Sequence, residues 1–500
     1  MADIQVASHK MKLKFSHGIL IVFGLLLCAG FFLRVWKLSE SSLWVDEGYT
    51  LNAAQETVIH GYPILPSGKV YTSGFLTTYL SALTLKIVSF DPYFPLAPRL
   101  PAVFFGTGLI VLVFFFTETL FKNRYLALAV AFITAFSQWE IAWSRQVRGY
   151  AALSFFLILL LFFLWRFLET AKKKYAILAI FSLVFASLSH NLGLAFIPST
   201  IIFLFSYRFF DSPLLLKRRA VYISTIVIST IAVSALIYYY FSIQGSNFIS
   251  NYLDFFADEL IIFLLGTLSV FIPDIFQKKY AKQIIFISLF LFLPFLYILI
   301  YAPTTQFRYI FPLFPLMIIL TSFSLWRLTH IVFSDIHHAK RDTMAVVFII
   351  LFALPGLSFL PRGFYELENG SPQPNFKDAF GFIQKTGNKN DIIISPYAHM
   401  TKLFLGRGDY WLKTSINRIP NNLKGSVING RDYYVGAPVI EDLENLKRIT
   451  NENHGFVLAN FTMKVRLPDV YTFLNADYRF RMVYKSFAPS RSDFIELYRF

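Results

Sequence analysis

The sequence predicts a polytopic α-helical membrane protein of about eleven spans, followed by a C-terminal extracytoplasmic α/β domain. Of the 500 residues, 56% are apolar and only 15% are charged, whereas about 25% are charged in an ordinary soluble domain. Apolar runs recur along residues 18–360, many of them close to the roughly 20 residues that a spanning helix needs. The pattern changes after residue 361, where apolar runs shorten and Gly, Pro and polar residues become more frequent.

The distribution of charge excludes a soluble enzyme or a nucleic-acid-binding protein. The net charge is +16, but the Lys and Arg residues form short clusters between apolar runs, as cytoplasmic loops of membrane proteins do. Membrane lipids are therefore the expected surroundings, and no nucleic-acid partner is expected. The only cysteine, Cys28, cannot form an intramolecular disulfide or a multi-thiolate metal site.

Each spanning segment is assigned from one apolar run. The first follows three lysines and, at 19 residues, is predicted to be an uncleaved span rather than a signal peptide. The predicted spans are 18–36, 101–119, 125–143, 150–168, 175–190, 193–210, 220–241, 259–275, 283–301, 309–326 and 343–360.

The run at 74–90 is ambiguous, and the positions of the basic clusters decide its assignment. If this run does not span, the clusters, including the lysines at 172–174, all lie on the cytoplasmic side. We therefore predict an amphipathic helix on the outer membrane surface. The N-terminus is then cytoplasmic and residues 362–500 are extracytoplasmic, in a multi-pass protein of the plasma or inner membrane.

These assignments divide the chain into two domains. Residues 1–361 form the predicted membrane domain, in which residues 37–100 are the first extracytoplasmic loop with its surface helices. Residues 362–500 form the predicted extracytoplasmic α/β domain. Within it the patterns predict helices at 375–386 and 441–450 and strands at 391–395, 455–459 and 494–499.

Two adjacent acids, Asp46 and Glu47, lie in the first outer loop. A carboxylate held close to the membrane can deprotonate an acceptor hydroxyl or bind a metal ion. The alternative interpretation is a solvated acidic pair without a chemical role.

Basic residues also collect at the predicted outer face. Arg145 and Arg148 are three residues apart at the end of one span, and two guanidinium groups on one helical face can bind phosphate oxygens. The alternative is that they extend to lipid headgroups. No nucleotide-binding glycine-rich motif is present. The other outward basic candidates are Lys69, Arg99 and Arg308.

In combination, these features resemble the GT-C superfamily of polyprenyl-phosphate-sugar-dependent glycosyltransferases. The resemblance is strongest to the branch of protein O-mannosyltransferases and lipid A aminoarabinose transferases, and it covers roughly residues 18–330. One position departs from the pattern: Ser73 stands where bacterial relatives often carry a basic residue, and Lys69 is the candidate substitute. The motifs follow in order as the Asp-Glu pair, Tyr-x-x-Gly-x-x-x-x-Tyr-Leu at 71–80, Arg-Leu-Pro at 99–101, Ser-Arg-x-x-Arg-Gly-Tyr at 144–150 and Arg-Tyr-x-x-Pro at 308–312.

The resemblance implies transfer of a sugar from a polyprenyl-phosphate donor to an acceptor hydroxyl at the extracytoplasmic face, with inversion at the anomeric carbon. It implies that Asp46 is the general base. Glu47 is implied to share this role or to help Asp46 hold a divalent metal ion, and the metal ion is optional. The acceptor is a glycolipid, a glycan or a protein. The donor phosphate is expected to contact Lys69, Arg99, Arg145, Arg148 and Arg308.

Two other functions stay open at this point. One is a flippase or transporter of lipid-linked sugars, which paired broken helices or charges at the membrane midplane would favour. The other is a glycan polymerase or ligase, which uses a similar donor.

Overall fold

A computed structural model describes residues 17–210, 280–301, 307–360, 375–413, 427–486 and 494–500. The predicted spans 220–241 and 259–275 lie outside the described residues.

The N-terminal part of the described chain is helical. Several of its helices carry large apolar side chains on their outer faces, such as Ile180 and Phe181, as expected of helices that face lipid. Five described segments are long and apolar enough to cross a membrane: His17–Val35, Leu96–Phe121, Tyr150–Thr170, Ala281–Ile298 and Phe311–Val332. The helices are α1 His17–Val35, α2 Val45–His60, α3 Phe75–Ile87, α4 Leu96–Phe121, α5 Arg124–Phe136, α6 Gln138–Trp143, α7 Tyr150–Thr170, α8 Lys173–Ser189, α9 Phe196–Phe210, α10 Ala281–Tyr301, α11 Phe314–Val332 and α12 His338–Ala353.

The predicted span 125–143 is broken in the structure. Helix α5 ends at Phe136, and α6 begins after Ser137, whose hydroxyl accepts a hydrogen bond from the Glu140 amide. The break frees carbonyl groups at the end of α5, and the buried Arg34 guanidinium donates to two of them, those of Thr134 and Ala135, at 3.0 Å each. Arg34 therefore satisfies backbone groups that a continuous helix would have paired internally.

The predicted surface helix 74–90 forms α3, from Phe75 to Ile87. Its 13 residues are too few to cross the hydrocarbon core, and its place on the outer membrane surface stays a prediction. Gly74 precedes it with φ of +85°, and a Cβ atom there would lie 2.8 Å from the carbonyl oxygen of Ser189. Both features favour glycine at this position.

The C-terminal unit, residues 375–500 where described, is built on a six-stranded sheet. The strand order is β5-β2-β1-β6-β8-β7; β5, β2, β1 and β6 run parallel, while β8 is antiparallel to both β6 and β7. The two helices and three strands predicted from the sequence are all present, with ends within two residues of the predicted ones. The elements are α13 Phe376–Thr386, β1 Ile392–Ser395, α14 Ala398–Leu405, β2 Tyr410–Leu412, β3 Val427–Ile428, β4 Arg431–Asp432, β5 Val439–Ile440, α15 Leu443–Glu452, β6 Gly455–Asn460, α16 Phe461–Arg466, α17 Pro468–Ala476, β7 Arg481–Lys485 and β8 Ile495–Arg499.

Each face of this sheet has its own apolar core. Ile393 packs on one face and Ile394 on the other, as alternation along a strand requires. The core that contains Ile393 also includes Leu43, Leu51 and Val147 from the membrane domain. One face of the C-terminal sheet is thus packed against the beginning of α2 and the loop before α7.

Candidate active site

Helix α2 places Asp46 in its first turn. The backbone N–H of Trp44 donates to Glu47 Oε2 at 2.8 Å and closes the N-terminus of the helix. A negative charge in the first turn is stabilised by the unpaired amides of a helix N-terminus. Asp46 therefore lies at the start of a helix and not in the loop that the sequence predicted for the acidic pair.

Two arginines from distant parts of the sequence meet at the Asp46 carboxylate, and we call Arg148 and Arg308 the arginine pair. Arg308 Nη1 lies 2.8 Å from Asp46 Oδ2, and Arg148 Nη2 lies 3.6 Å from the same oxygen. The three side chains are 20% exposed for Asp46, 11% for Arg148 and 15% for Arg308. The cluster is therefore shielded from bulk water but still open to a ligand.

Arg148 is held by further polar contacts around α2. Its Nη1 atom donates to the Asp46 carbonyl, to Thr50 Oγ1 and to the Tyr71 hydroxyl, at 3.2 Å each. The Thr50 and Tyr71 hydroxyls are themselves 3.1 Å apart. Tyr71 thus connects the segment before α3 to the site. The sequence motif contained Tyr71, although the predicted site did not include it.

Arg308 lies against aromatic rings. Its guanidinium carbon is 5.2 Å from the centre of the Trp44 ring and 5.7 Å from that of Tyr309, within the range of cation–π attraction. The buried Nε atoms of Arg308 and Arg148 have no hydrogen-bond partner among the described residues. The arginine pair therefore keeps hydrogen-bonding capacity that its protein contacts do not use.

Glu47 differs from its neighbour Asp46 because it is fully buried and saturated with hydrogen bonds. Its two oxygens accept from Arg99 Nε at 2.9 Å and Arg99 Nη2 at 2.8 Å, and from the amides of Trp44 and Val147 at 2.8 and 2.9 Å. These contacts join α2, α4 and the loop before α7. These hydrogen bonds give Glu47 a structural role, and its predicted chemical role stays a prediction.

Arg99 and Arg145 also make structural contacts, and their predicted contacts with a donor phosphate stay predictions. Besides Glu47, Arg99 donates to the carbonyl groups of Leu38, Ser41 and Ser42, and its side chain is 1% exposed. The donors of Arg145 bind carbonyl groups at the end of α1 and just after it. These acceptors are Leu33, Arg34, Trp36 and Lys37.

Lys69 lies in an exposed turn between Leu65 and Tyr71. Within the described part of the chain, no ion pair joins it to Asp46 or to another acid. The predicted role of Lys69 as a substitute for a basic residue at position 73 stays a prediction.

A divalent metal, which the resemblance left optional, does not fit the acidic pair. Each carboxylate oxygen of Glu47 already accepts two hydrogen bonds from protein donors. The arginine pair would repel a cation at Asp46. Hard cations need several free oxygen ligands. Among the described residues, no group of three or more His, Cys, Asp or Glu side chains is arranged to hold a metal ion.

Comparison with known proteins shows the fold of this chain. No protein-family model and no curated sequence matches it. The solved structure of ArnT from Cupriavidus metallidurans in the apo state aligns with 96% of this chain and 98% of its own, with a TM-score of 0.57 and 12% identity. The same protein bound to undecaprenyl phosphate aligns with a TM-score of 0.55 and 12% identity, over 97% of this chain and 98% of its own.

A second similar structure is the Archaeoglobus fulgidus oligosaccharyltransferase tethered with an acceptor peptide. It aligns over 96% of this chain and 74% of its own, with a TM-score of 0.55 and 12% identity. ArnT and this oligosaccharyltransferase are members of the GT-C superfamily. The chain therefore has the GT-C fold that its ordered motifs predicted.

Proposed function

We propose that this protein is an integral membrane glycosyltransferase that transfers a sugar from a polyprenyl-phosphate donor to an acceptor hydroxyl at the extracytoplasmic face. The observation that carries the proposal is the Asp46 carboxylate held between Arg148 and Arg308. The resemblance in the motifs and the shared GT-C fold support the same class of reaction.

The charges of this cluster suit the donor. Two guanidinium groups face one carboxylate, so one positive charge is left over among the described groups at the site. A sugar linked to a polyprenyl phosphate is a phosphodiester with a single negative charge. Guanidinium groups bind phosphate oxygens through short, charge-assisted hydrogen bonds, and the partly exposed guanidinium groups of the arginine pair can provide such donors.

The same geometry gives Asp46 a role as general base. Both arginine contacts are made by Oδ2, which leaves Oδ1 for the proton of an acceptor hydroxyl. Donor phosphate competes with Asp46 for the arginine pair, so donor binding frees the carboxylate. The acceptor oxygen then forms its bond to the anomeric carbon, from the side opposite the phosphate, as its proton passes to Asp46.

The arginine pair stabilises the leaving group. The bond between the anomeric carbon and the phosphate oxygen breaks with both electrons moving to the phosphate. Fixed positive groups aimed at this developing charge lower the barrier without needing to reorganise. Attack from the opposite side gives a product with inverted configuration. No step requires a nucleotide-binding fold or a metal ion.

The test is transfer by the purified protein in detergent. The protein is incubated with a polyprenyl-phosphate sugar and with glycolipids and glycoproteins extracted from cells that lack the gene, and products are identified by mass spectrometry. A new glycoconjugate supports the proposal. A flippase or transporter gives no product in detergent, because no compartments exist, and a polymerase or ligase gives repeated or polymeric additions; either result contradicts the proposal.

A further inference from the structure

The C-terminal unit contacts the catalytic helix next to Asp46. Tyr49 lies three residues after Asp46, on the same side of α2. Its ring stacks on His399 of α14, with ring centres 3.8 Å apart and planes within 17°. Tyr434, in the turn after β4, covers Tyr49 with a centre-to-centre distance of 4.1 Å. Tyr49 thus packs against two rings of the C-terminal unit.

Hydrogen bonds fix this contact along the first two turns of α2. His399 Nε2 lies 3.2 Å from the carbonyl oxygen of Val45, the residue before Asp46. In the other direction, Asn52 Nδ2 donates to the His399 carbonyl at 2.8 Å. Gly48 lets α2 and α14 approach each other closely, since a Cβ atom there would lie 2.2 Å from Met400 Sδ. The peptide group that leads into Asp46 is therefore held from the C-terminal unit.

The groups in this contact are uncharged. Burial lowers the pKa of His399 to about 3, so its ring is neutral near pH 7. Because Nε2 faces a carbonyl oxygen, that nitrogen carries the proton and donates. Burial, with the nearby Tyr434 and Asp46, raises the pKa of the Tyr49 phenol well above its usual range. The contact therefore keeps its hydrogen bond and its stacking across the physiological pH range.

The same unit also contacts the segment that carries Tyr71. The amide of Ser67 donates to the Tyr434 carbonyl at 3.3 Å, and the Ser67 hydroxyl donates to the Tyr433 carbonyl. The Tyr433 hydroxyl donates to the Val70 carbonyl at 3.4 Å. Tyr71 follows directly and holds Arg148. Both Asp46 and Arg148 are thus one or two contacts away from the C-terminal unit.

From this arrangement we infer that the C-terminal unit positions the catalytic base: His399, Tyr49 and Tyr434 form a clamp that holds Asp46 in register with the arginine pair. The catalytic effect of the clamp rests on the proposed function, whereas its structural effect on α2 does not. His399 is a positioning residue, since it acts on Asp46 through the backbone of α2. A displacement of about 1 Å in a reacting group can cost on the order of 10²-fold in rate.

Two measurements on the full-length protein test this inference. The first is hydrogen–deuterium exchange of peptides from residues 45–52, and the second is kcat and donor KM for sugar transfer. His399→Ala should speed exchange in α2 and lower kcat by about 10-fold to 10²-fold, with donor KM within about twofold of the parent because it leaves the arginine pair in place. His399→Gln, whose amide can still donate to Val45, should recover most of both losses.

The matched control is Phe480→Leu, which removes volume from the core on the opposite face of the C-terminal sheet. It should leave exchange in α2 and kcat unchanged. Equal effects of Phe480→Leu and His399→Ala, or no change of α2 exchange in His399→Ala, would overturn the clamp. If the parent transfers no sugar, the proposed function fails, and the exchange measurement still decides whether the C-terminal unit holds α2.

Discussion

Arg308 Nη1 lies 2.8 Å from Asp46 Oδ2, although 262 residues separate the two in the sequence. Asp46 is in the first turn of α2, and Arg308 is in the short turn Phe307–Tyr309 before α11. Their contact brings the two ends of the membrane domain together at one carboxylate. Substitutions in this cluster, or in the residues that hold it, should therefore change sugar transfer, binding of polyprenyl phosphate or protein stability.

Asp46→Asn should abolish most transfer while preserving the fold. The amide keeps the size of the carboxylate but cannot accept the acceptor proton, and loss of general-base assistance costs about 10²–10⁴ in rate. Binding of polyprenyl phosphate should be retained or tightened, because the arginine pair loses its only competing anion among the described groups. Transfer and binding are measured separately on purified protein, and near-parental turnover would remove Asp46 from the mechanism.

Arg308→Ala and Arg148→Ala should each weaken binding of polyprenyl phosphate. Hydrogen bonds to charged groups contribute about 1.5–3 kcal/mol, so each change should raise the dissociation constant roughly 10-fold to 10²-fold. Arg327→Ala is the matched control, because Arg327 also lies over aromatic rings, those of Tyr280 and Trp326, but away from Asp46. Parental affinity in both site variants would contradict the assignment.

Glu47→Gln should destabilise the protein more than it alters the chemistry. The change leaves the buried Arg99 guanidinium without its counter-charge, and breaking a buried pair in this way costs about 3–5 kcal/mol. Glu56→Gln on the same helix is the control, since its side chain is 21% exposed and its described ion pair is with the exposed His60. Thermal unfolding in detergent compares the two, and equal unfolding temperatures would mean that the Glu47–Arg99 pair does not support the fold.

Removal of divalent metals should leave transfer unchanged. Glu47 has no free ligand position and Asp46 faces two positive groups, so the acidic pair is a poor cation site. Transfer is measured after dialysis against a chelator, with and without added Mg²⁺, Mn²⁺ or Zn²⁺. If the transfer rate falls strongly on chelation and recovers with one of these ions, the acidic pair binds a metal ion despite the nearby arginines.

The orientation of the chain can be tested by cysteine labelling in intact cells. Cys28 is first replaced by Ala, because it is the only native cysteine. A cysteine at exposed position Glu444 should react with an impermeant reagent, whereas one at Lys173 should react only after permeabilisation. Labelling at 173 in intact cells would reverse the predicted topology.

The sequence identified the residues of the proposed site better than the contacts that hold them in place. Asp46, Arg148 and Arg308 were identified from an ordered set of motifs, and the structure brings all three together. Arg99 and Arg145 have the same residue type and the same predicted location, yet Arg99 pairs with the buried Glu47 and both arginines donate to backbone carbonyl groups. A sequence shows which side chains can donate, but not which distant carbonyl groups lack a donor.

The contribution of the C-terminal unit could not be predicted for a related reason. His399 lies 354 residues from Val45, and a single histidine between Ala398 and Met400 follows no recognisable pattern. The helices and strands of this unit were predicted because local periodicity determines them. Their packing against α2 depends on shape, as the approach of Met400 to Gly48 shows.

The contacts of Arg34 have a consequence for biosynthesis. Its guanidinium binds the Thr134 and Ala135 carbonyl groups, which are made 100 and 101 residues later. A growing chain that has not reached Thr134 must keep this charge at the lipid–water boundary, because an unpaired charge in the bilayer is costly. The buried contacts of Arg34 can therefore form only after α5 has been made, so α1 reaches its final packing later than its place in the sequence would suggest.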